Sequence, residues 1–173
     1  GSDEVSFGGR NAPTVNYARF VPNFRFDARN NRFSGGQFRD GRASTLEEQA
    51  KGPFLDPNEM MMPDAQSVVD KIQENAVYAA SFKALYNATI FDDTDRAYDA
   101  VADAIATFER SDEISPFDSK YDRFLAGTAT LTTLEERGRT LFFEPRGANC
   151  RSCHSLGGRN QTNRNELFTN HQF

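Results

Sequence analysis

The rhythm of apolar and polar residues changes near residue 44. Before it, Gly8-Gly9, Pro13, Pro22, Gly35-Gly36 and Gly41 interrupt the chain, and no helical period survives. Within this part, Asn23-Phe24-Arg25-Phe26-Asp27 alternates polar and apolar, which predicts a short strand or hairpin, with Asn30-Asn31 suited to its turn. From Ser44 the spacing becomes helical. Ser44 or Thr45 can cap a short helix, Glu47 or Glu48 closes a capping box, and Gly52-Pro53 is expected to end it. Residues 54–63 read as a proline-bounded loop, and Asp64 caps a helix through Val68, Val69 and Ile72. A second short helix should bury Ala80, Phe82 and Leu85. The clearest helix runs from about Asp93 to Arg110, with Tyr98, Val101, Ala102, Ile105 and Phe108 as its apolar stripe. After the Ser115-Pro116 break, a helix from Pro116 through Tyr121 and Phe124 should stop at Gly127. Another, capped by Thr132 or Thr133, should turn Leu134, Gly138, Leu141 and Phe142 inward and lead to Cys150. The pattern predicts a mostly α fold with long ordered loops.

Composition adds a few limits. The 173 residues suffice for one domain or two small lobes. A net charge of -5 makes no case for a nucleic-acid partner. No apolar run is long enough to span a bilayer, and no signal peptide is visible. Arg10, Arg19, Arg25, Arg29, Arg32, Arg39 and Arg42 precede the first lysine, Lys51. Arginine forks suit buried carboxylates such as haem propionates, although plain arginine usage explains the bias as well. Asp92, Asp95, Asp99 and Asp103 line one face of the long helix. They read first as a solvated face and second as a dock for a basic redox partner.

The only two cysteines lie in Ala148-Asn149-Cys150-Arg151-Ser152-Cys153-His154. Cys-x-x-Cys-His is the attachment sequence of c-type haem. Two thiols three positions apart reach the two vinyl groups on one porphyrin edge, and the next histidine falls beneath the iron. A thioredoxin-like pair would need a βαβ setting, which is missing. A zinc site would need four ligands, and a disulfide across two residues is an uncommon staple. Haem attachment is the reading that the spacing favours. His171, Met60, Met61 and Met62 are candidates for the sixth iron ligand, and the sequence does not choose among them.

A longer series of words carries a resemblance: Arg10-Asn11-Ala12-Pro13-Thr14, Asp40-Gly41-Arg42-Ala43, Leu46-Glu47-Glu48-Gln49-Ala50, Pro53, Asn58-Glu59-Met60, Ala104 to Arg110, Ser115-Pro116-Phe117-Asp118, Gly138, Leu141-Phe142 and Cys150-x-x-Cys153-His154. In these words and their order the chain resembles the bacterial dihaem cytochrome c peroxidase family, including its MauG-like branch. The resemblance implies cytochrome c-like haem lobes. Residues 1–92 would belong to an N-terminal, peroxidatic-type lobe without its haem motif, and residues 93–173 would begin a C-terminal haem lobe. Cys150, Cys153 and His154 would then hold an electron-transferring haem c, with His154 on the iron, and a second, peroxidatic haem would be expected in the full protein. Glu59 falls on the family's acidic residue beside the peroxidatic haem and Gln49 on the neighbouring polar residue. Asn11 falls on a ligand of the calcium ion between the lobes. On residue grounds alone the favoured readings of Glu59, Gln49 and Asn11 are a solvent-exposed loop residue, a helix-surface residue and a turn former.

The resemblance has three departures. An upstream Cys-x-x-Cys-His does not precede Arg10. Arg39 stands where the family usually has the tryptophan between the haems. The chain stops at Phe173, before the family's later half of the second lobe. The expectation is the middle of a longer oxidoreductase. It would take electrons from a small cytochrome c or a cupredoxin and reduce hydrogen peroxide. A MauG-like variant would oxidise a protein or peptide substrate instead. A monohaem electron carrier and a disulfide-bearing structural module are the other readings. Covalent haem implies a periplasmic or exported location. Members of the family are often homodimers, and no residue pattern here marks an interface.

Overall fold

The computed structural model describes residues 5, 7–29, 31–152, 154–155 and 169–170, with the side chains of 32, 152, 154, 155, 169 and 170 excepted. The fold is mostly α. The chain forms two compact units that meet in sequence at Ser115 and Pro116.

The first unit opens with a hairpin. Strands β1 (Arg25–Asp27) and β2 (Arg32–Ser34) pair antiparallel with Phe26 opposite Phe33. Asn31 turns the chain at φ 49, and Asn30 lies outside the described residues. Helix α1 (Leu46–Leu55) starts as expected: Thr45 Oγ1 accepts from the Glu48 amide, and Glu48 accepts from the Ser44 amide at 2.6 Å. It does not stop at Gly52-Pro53. Pro53 has no N–H to give to the Gln49 carbonyl, but the helix continues to Leu55 because other donors finish it. Asp56, Met60 and Met62 amides donate to the carbonyls of Gly52, Pro53 and Phe54. Asp64 caps α2 (Ala65–Glu74) by accepting from the Ser67 amide at 2.8 Å. Asn75 caps α3 (Ala76–Leu85). Of the residues expected on the inner side of α3, only Phe82 is half-buried, beside Phe91 and Tyr86; Ala80 and Leu85 are exposed. Eight of the ten residues of α3 are apolar, so no single stripe marks its inner face.

Helix α4 (Thr94–Glu109) is the spine of this unit. It packs on α1 and α2, with Val68, Val69, Ala97 and Tyr98 at the centre and Phe54, Met62, Ala65 and Phe91 around them. The Tyr98 hydroxyl donates to the Lys51 carbonyl at 2.8 Å. This packing keeps α4 in the first compact unit, which ends at Ser115. The expected stripe holds through Tyr98, Val101 and Ala102, but Phe108 is 53% exposed and Glu109 is buried in its place. The acidic row is partly occupied within the chain: Asp99 pairs with Lys51, and Asp103 accepts from the Tyr86 hydroxyl.

In the second unit, Phe117 adopts a positive φ and Ser119, not Pro116, starts α5 (Lys120–Leu125) through a capping box with Asp122. Gly127 follows at φ 74, where glycine is the unstrained choice. Thr132 and Glu135 form a second capping box for α6 (Thr133–Phe143), and Lys120 pairs with Glu135 at 2.6 Å. Phe142 is half-buried, but Leu134, Gly138 and Leu141 are exposed, so the expected inner face of α6 is largely uncovered among the described residues. Tyr121, Leu131, Gly138, Phe142 and Phe143 border an apolar cavity of about 530 Å³. Two short strands, β3 (His154–Ser155) and β4 (Thr169–Asn170), pair antiparallel. Among the described residues no helix is long and apolar enough to cross a membrane.

Candidate functional site

Two places in the chain carry chemistry, one in each unit. The first is a cavity of about 750 Å³ in unit 1, a size common for cofactor and small-molecule sites. Words far apart in sequence meet on its walls: Arg10 to Val15, Gln37 to Asp40, Arg42, Gln49, Pro53, Asp56, Asn58, Glu59 and Glu109. Gln49, Glu59 and Asn11 thus line one space. Gln49 sits on α1, one turn before Pro53. Glu59 sits on the loop after α1, in a turn built by Asp56. The Asp56 carboxylate accepts from the Asn58 amide at 2.7 Å, and its carbonyl accepts from the amides of Glu59 and Met61 at 3.1 and 3.0 Å. This is an Asx-type turn, in which a short carboxylate organises the backbone just after it.

The opposite wall is a tight loop. Gln37 and Ala43 pair across it, with Gln37 N–H donating to the Ala43 carbonyl at 2.7 Å. Gly36 adopts φ +83, and a Cβ there would lie 2.7 Å from the Gly41 carbonyl oxygen. Phe38, also at positive φ, lies under the Arg42 guanidinium at 3.6 Å and against Gly52 of α1. Asp40 takes Arg42 at 3.0 Å and Arg10 at 3.5 Å. Arg39, at the family's usual tryptophan position, donates through Nε to the Asn11 carbonyl at 3.2 Å. Its role here is therefore to hold the segment that carries Asn11.

Sequence reasoning passed over Gln37 and Glu109, both more than nine-tenths buried and both on the cavity wall. The signal for Glu109 was present: a carboxylate stands where the α4 stripe calls for an apolar residue. Burial pushes its carboxyl above the ordinary range, with the Glu47 charge acting in the same direction and Arg110 against it. Glu47 is the opposite case. A hydrogen bond from Arg110, 2.6 Å away, holds it at about 2 despite partial desolvation.

The second place is the end of α6. The Gly147 amide donates to the Glu144 carbonyl and the Ala148 amide to the Leu141 carbonyl. Asn149 takes a positive φ, and a 3₁₀ turn, Cys150–Ser152, follows. This turn presents Cys150, a half-buried free thiol. His154 begins β3, with its backbone opposite Asn170. Cys153 and His171 lie outside the described residues. Of the methionine candidates, Met60 and Met61 are about half exposed, and Met62 packs against the unit 1 core. Among the described residues no group of three histidine, cysteine or acidic side chains gathers as a metal site.

These features define a class: a mostly helical chain with a haem-c attachment sequence at the end of one helix and, in the other unit, a cavity lined by acid and amide groups. Comparison with known proteins narrows it. The family model for di-haem cytochrome c peroxidase matches residues 1–130. The chain is 44% identical over its whole length to the methylamine utilization protein MauG of Paracoccus denitrificans, of which it spans 43%. It is 34% identical over 131 residues to the cytochrome c peroxidase Ccp of Escherichia coli, covering 75% of this chain and 26% of that protein. The diheme peroxidase BthA of Burkholderia thailandensis superposes with a TM-score of 0.86 at 37% identity, over 98% of this chain and 40% of that one. The chain belongs to the di-haem cytochrome c peroxidase family, whose members are oxidoreductases. It spans less than half the length of the relatives it matches.

The cofactor that this family implies is haem c. Cys150 fits this group as a free thiol held in a tight turn, and the sequence puts Cys153 and His154 after it at the spacing of haem c attachment; Cys153 and the His154 side chain lie outside the described residues.

Proposed function

We propose that the chain is part of an enzyme that reduces hydrogen peroxide with electrons from a small redox protein. The observation that carries this reading is the meeting of Gln49 and Glu59 in one cavity, in a unit separate from the Cys150-x-x-Cys153-His154 sequence. That separation suits a division of labour between electron entry and peroxide cleavage. Cys150 and Cys153 would tether one haem and His154 would hold its iron; a second, peroxidatic haem is expected in the full protein, and together they would supply electron storage and transfer. The chain's own residues would manage the protons. Glu59 takes the proton from one peroxide oxygen and returns it to the other as the O–O bond breaks. Gln49 orients the peroxide through its amide. Asn11 is a calcium ligand in this reading, since an amide oxygen suits a hard cation. The electron donor is a small cytochrome c or a cupredoxin, and the setting is periplasmic or exported.

The test uses the natural full-length protein. Covalently bound haem per polypeptide, measured as pyridine haemochrome, should fall by one when Cys150 and Cys153 are both replaced by alanine. Peroxide-dependent oxidation of a reduced cytochrome c should be present in the wild type. It should fall by a factor of about 10² to 10⁴ in Glu59→Gln at unchanged haem content. An unchanged rate in that variant would remove Glu59 from the chemistry.

A second reading is a MauG-like oxidation of a protein substrate. The 44% identity across all 173 residues to the methylamine utilization protein MauG favours it. The two readings separate on the consumer of the oxidising equivalents: rapid peroxide turnover with a small redox donor supports the first, and peroxide-driven modification of a protein supports the second.

A further inference from the structure

The inward series of α4 runs through Tyr98, Ala102 and Ala106, and the next inward position is Glu109. Its residue is 6% exposed, and its Oε2 is buried without a hydrogen-bond partner. An unpaired buried carboxylate oxygen is costly, and a helix with free choice would place an apolar residue there. The side chain borders the cavity that also holds Gln49 and Glu59.

The nearby cations are engaged elsewhere. Arg110, next to it on α4, gives its guanidinium to Glu47 of α1. Arg10 and Arg42, on the cavity's other wall, are paired with Asp40. Arg39 donates to the Asn11 carbonyl, and the Asp56 carboxylate is taken by the Asn58 amide. Glu47 adds negative charge nearby and Arg110 opposes it; burial is the larger influence and pushes the Glu109 carboxyl above its ordinary range, which favours the protonated form.

We propose that Glu109 is the inner proton carrier of this cavity, holding a proton beside the reacting space and exchanging it with Glu59 through water. The proposal rests on the peroxide-reducing reading above. Reduction of one hydrogen peroxide consumes two electrons, from the redox donor, and two protons, and yields two waters. Glu59 shifts the proton already on the peroxide; the two additional protons must come from outside it. Glu109 supplies one after the bond has broken, when the oxygen left behind takes up two electrons from the redox donor and two protons to leave as the second water; the other proton comes from solvent, and Glu109 is reprotonated from solvent through the cavity mouth. It acts through Glu59 and water, as a positioning and relay group.

The test uses the full-length holoprotein, wild type and Glu109→Gln, an isosteric change that keeps the fold within reach, with Glu109→Asp as the conservative variant. Infrared difference spectra should show a protonated-carboxyl stretch in the wild type near neutral pH that is absent in Glu109→Gln. In steady state, Glu109→Gln should lower kcat for peroxide about tenfold or more with little change in KM or haem content. It should also flatten the decline of kcat at rising pH, and Glu109→Asp should restore part of both. If the wild type turns over peroxide and Glu109→Gln keeps its rate and pH profile, or if the infrared band survives in Glu109→Gln, this proposal fails alone. If the wild type carries the band but turns over no peroxide, the peroxide-reducing reading fails and takes proton delivery with it.

Discussion

Glu47 and Glu109 sit within reach of the same arginine, Arg110, and respond in opposite directions. Glu47 is held at about 2 by its hydrogen bond to Arg110. Its folded value lies below its unfolded one, so its contribution is present above the ordinary carboxylate range and is lost as pH falls toward about 2. The pair is partly solvent-screened, so Glu47→Gln should cost about 0.2–1 kcal/mol at pH 7 and nothing near pH 2, read from chemical denaturation. Glu109 is raised by burial, so the sign reverses. Its neutral form suits the fold below the ordinary carboxylate range, and stability is lost as pH rises through its folded value. Glu109→Gln should therefore raise Tm relative to the wild type at mildly alkaline pH and leave it nearly unchanged at pH 4. An equal Tm shift at both values would show that the carboxyl does not titrate in the fold. Neither carboxylate could have been assigned its state from sequence, because the state depends on which of them Arg110 reaches.

Capping residues made the starts of helices legible. Asp64, Thr132 with Glu135 and the Thr45–Glu48 pair each act as their side-chain chemistry requires. Thr132→Ala should cost about 1 kcal/mol in unfolding free energy, from the lost cap. Ends and inner faces were harder. The stop expected at Gly52-Pro53 failed because amides from the next loop, not from the helix, satisfy the last carbonyls of α1. Phe108 lost the inner position to Glu109 because about three helical turns separate Tyr98 from position 109, which returns it to the same face and leaves 108 at the edge. The Asp56 turn shows how such loops matter to the site. Asp56→Asn keeps a side-chain oxygen for the Asn58 amide, whereas Asp56→Ala does not. Peroxide turnover should survive the first change and drop in the second, with haem content constant in both. At the facing wall, Gly36→Ala meets the Gly41 backbone at positive φ and should destabilise unit 1 by about 1–3 kcal/mol.

At the scale of the whole chain, periodicity indicated a mostly helical fold, and the Cys-x-x-Cys-His spacing pointed to haem. Neither located the unit 1 cavity. The resemblance set Glu59 beside Gln49 and put Asn11 at a calcium site; residues from Arg10 to Glu109 are brought together by packing, which no local spacing encodes. The break between the compact units coincides with the chain break expected at Ser115-Pro116, and the buried face of α4 belongs to α1 and α2. Limited thermolysin digestion is expected to cut first between 116 and 119, and to leave a resistant fragment that contains α1 to α4. A first cut inside α4 would contradict the division.

The fastening of residues 10 and 11 has a consequence of its own. What ties them to the facing loop is the Arg10–Asp40 ion pair, with Arg10 54% exposed at its side chain, and the single donation from Arg39 to the Asn11 carbonyl. Charge screening weakens an exposed ion pair and does not weaken apolar burial. One wall of the cavity is thus secured by something that ordinary electrolyte can loosen, and the other by packing that screening leaves in place. Ionic strength becomes a handle on entry: amide exchange in this stretch should quicken with added salt while the helices stay protected, and, on the peroxide-reducing proposal, KM for peroxide should change before kcat does.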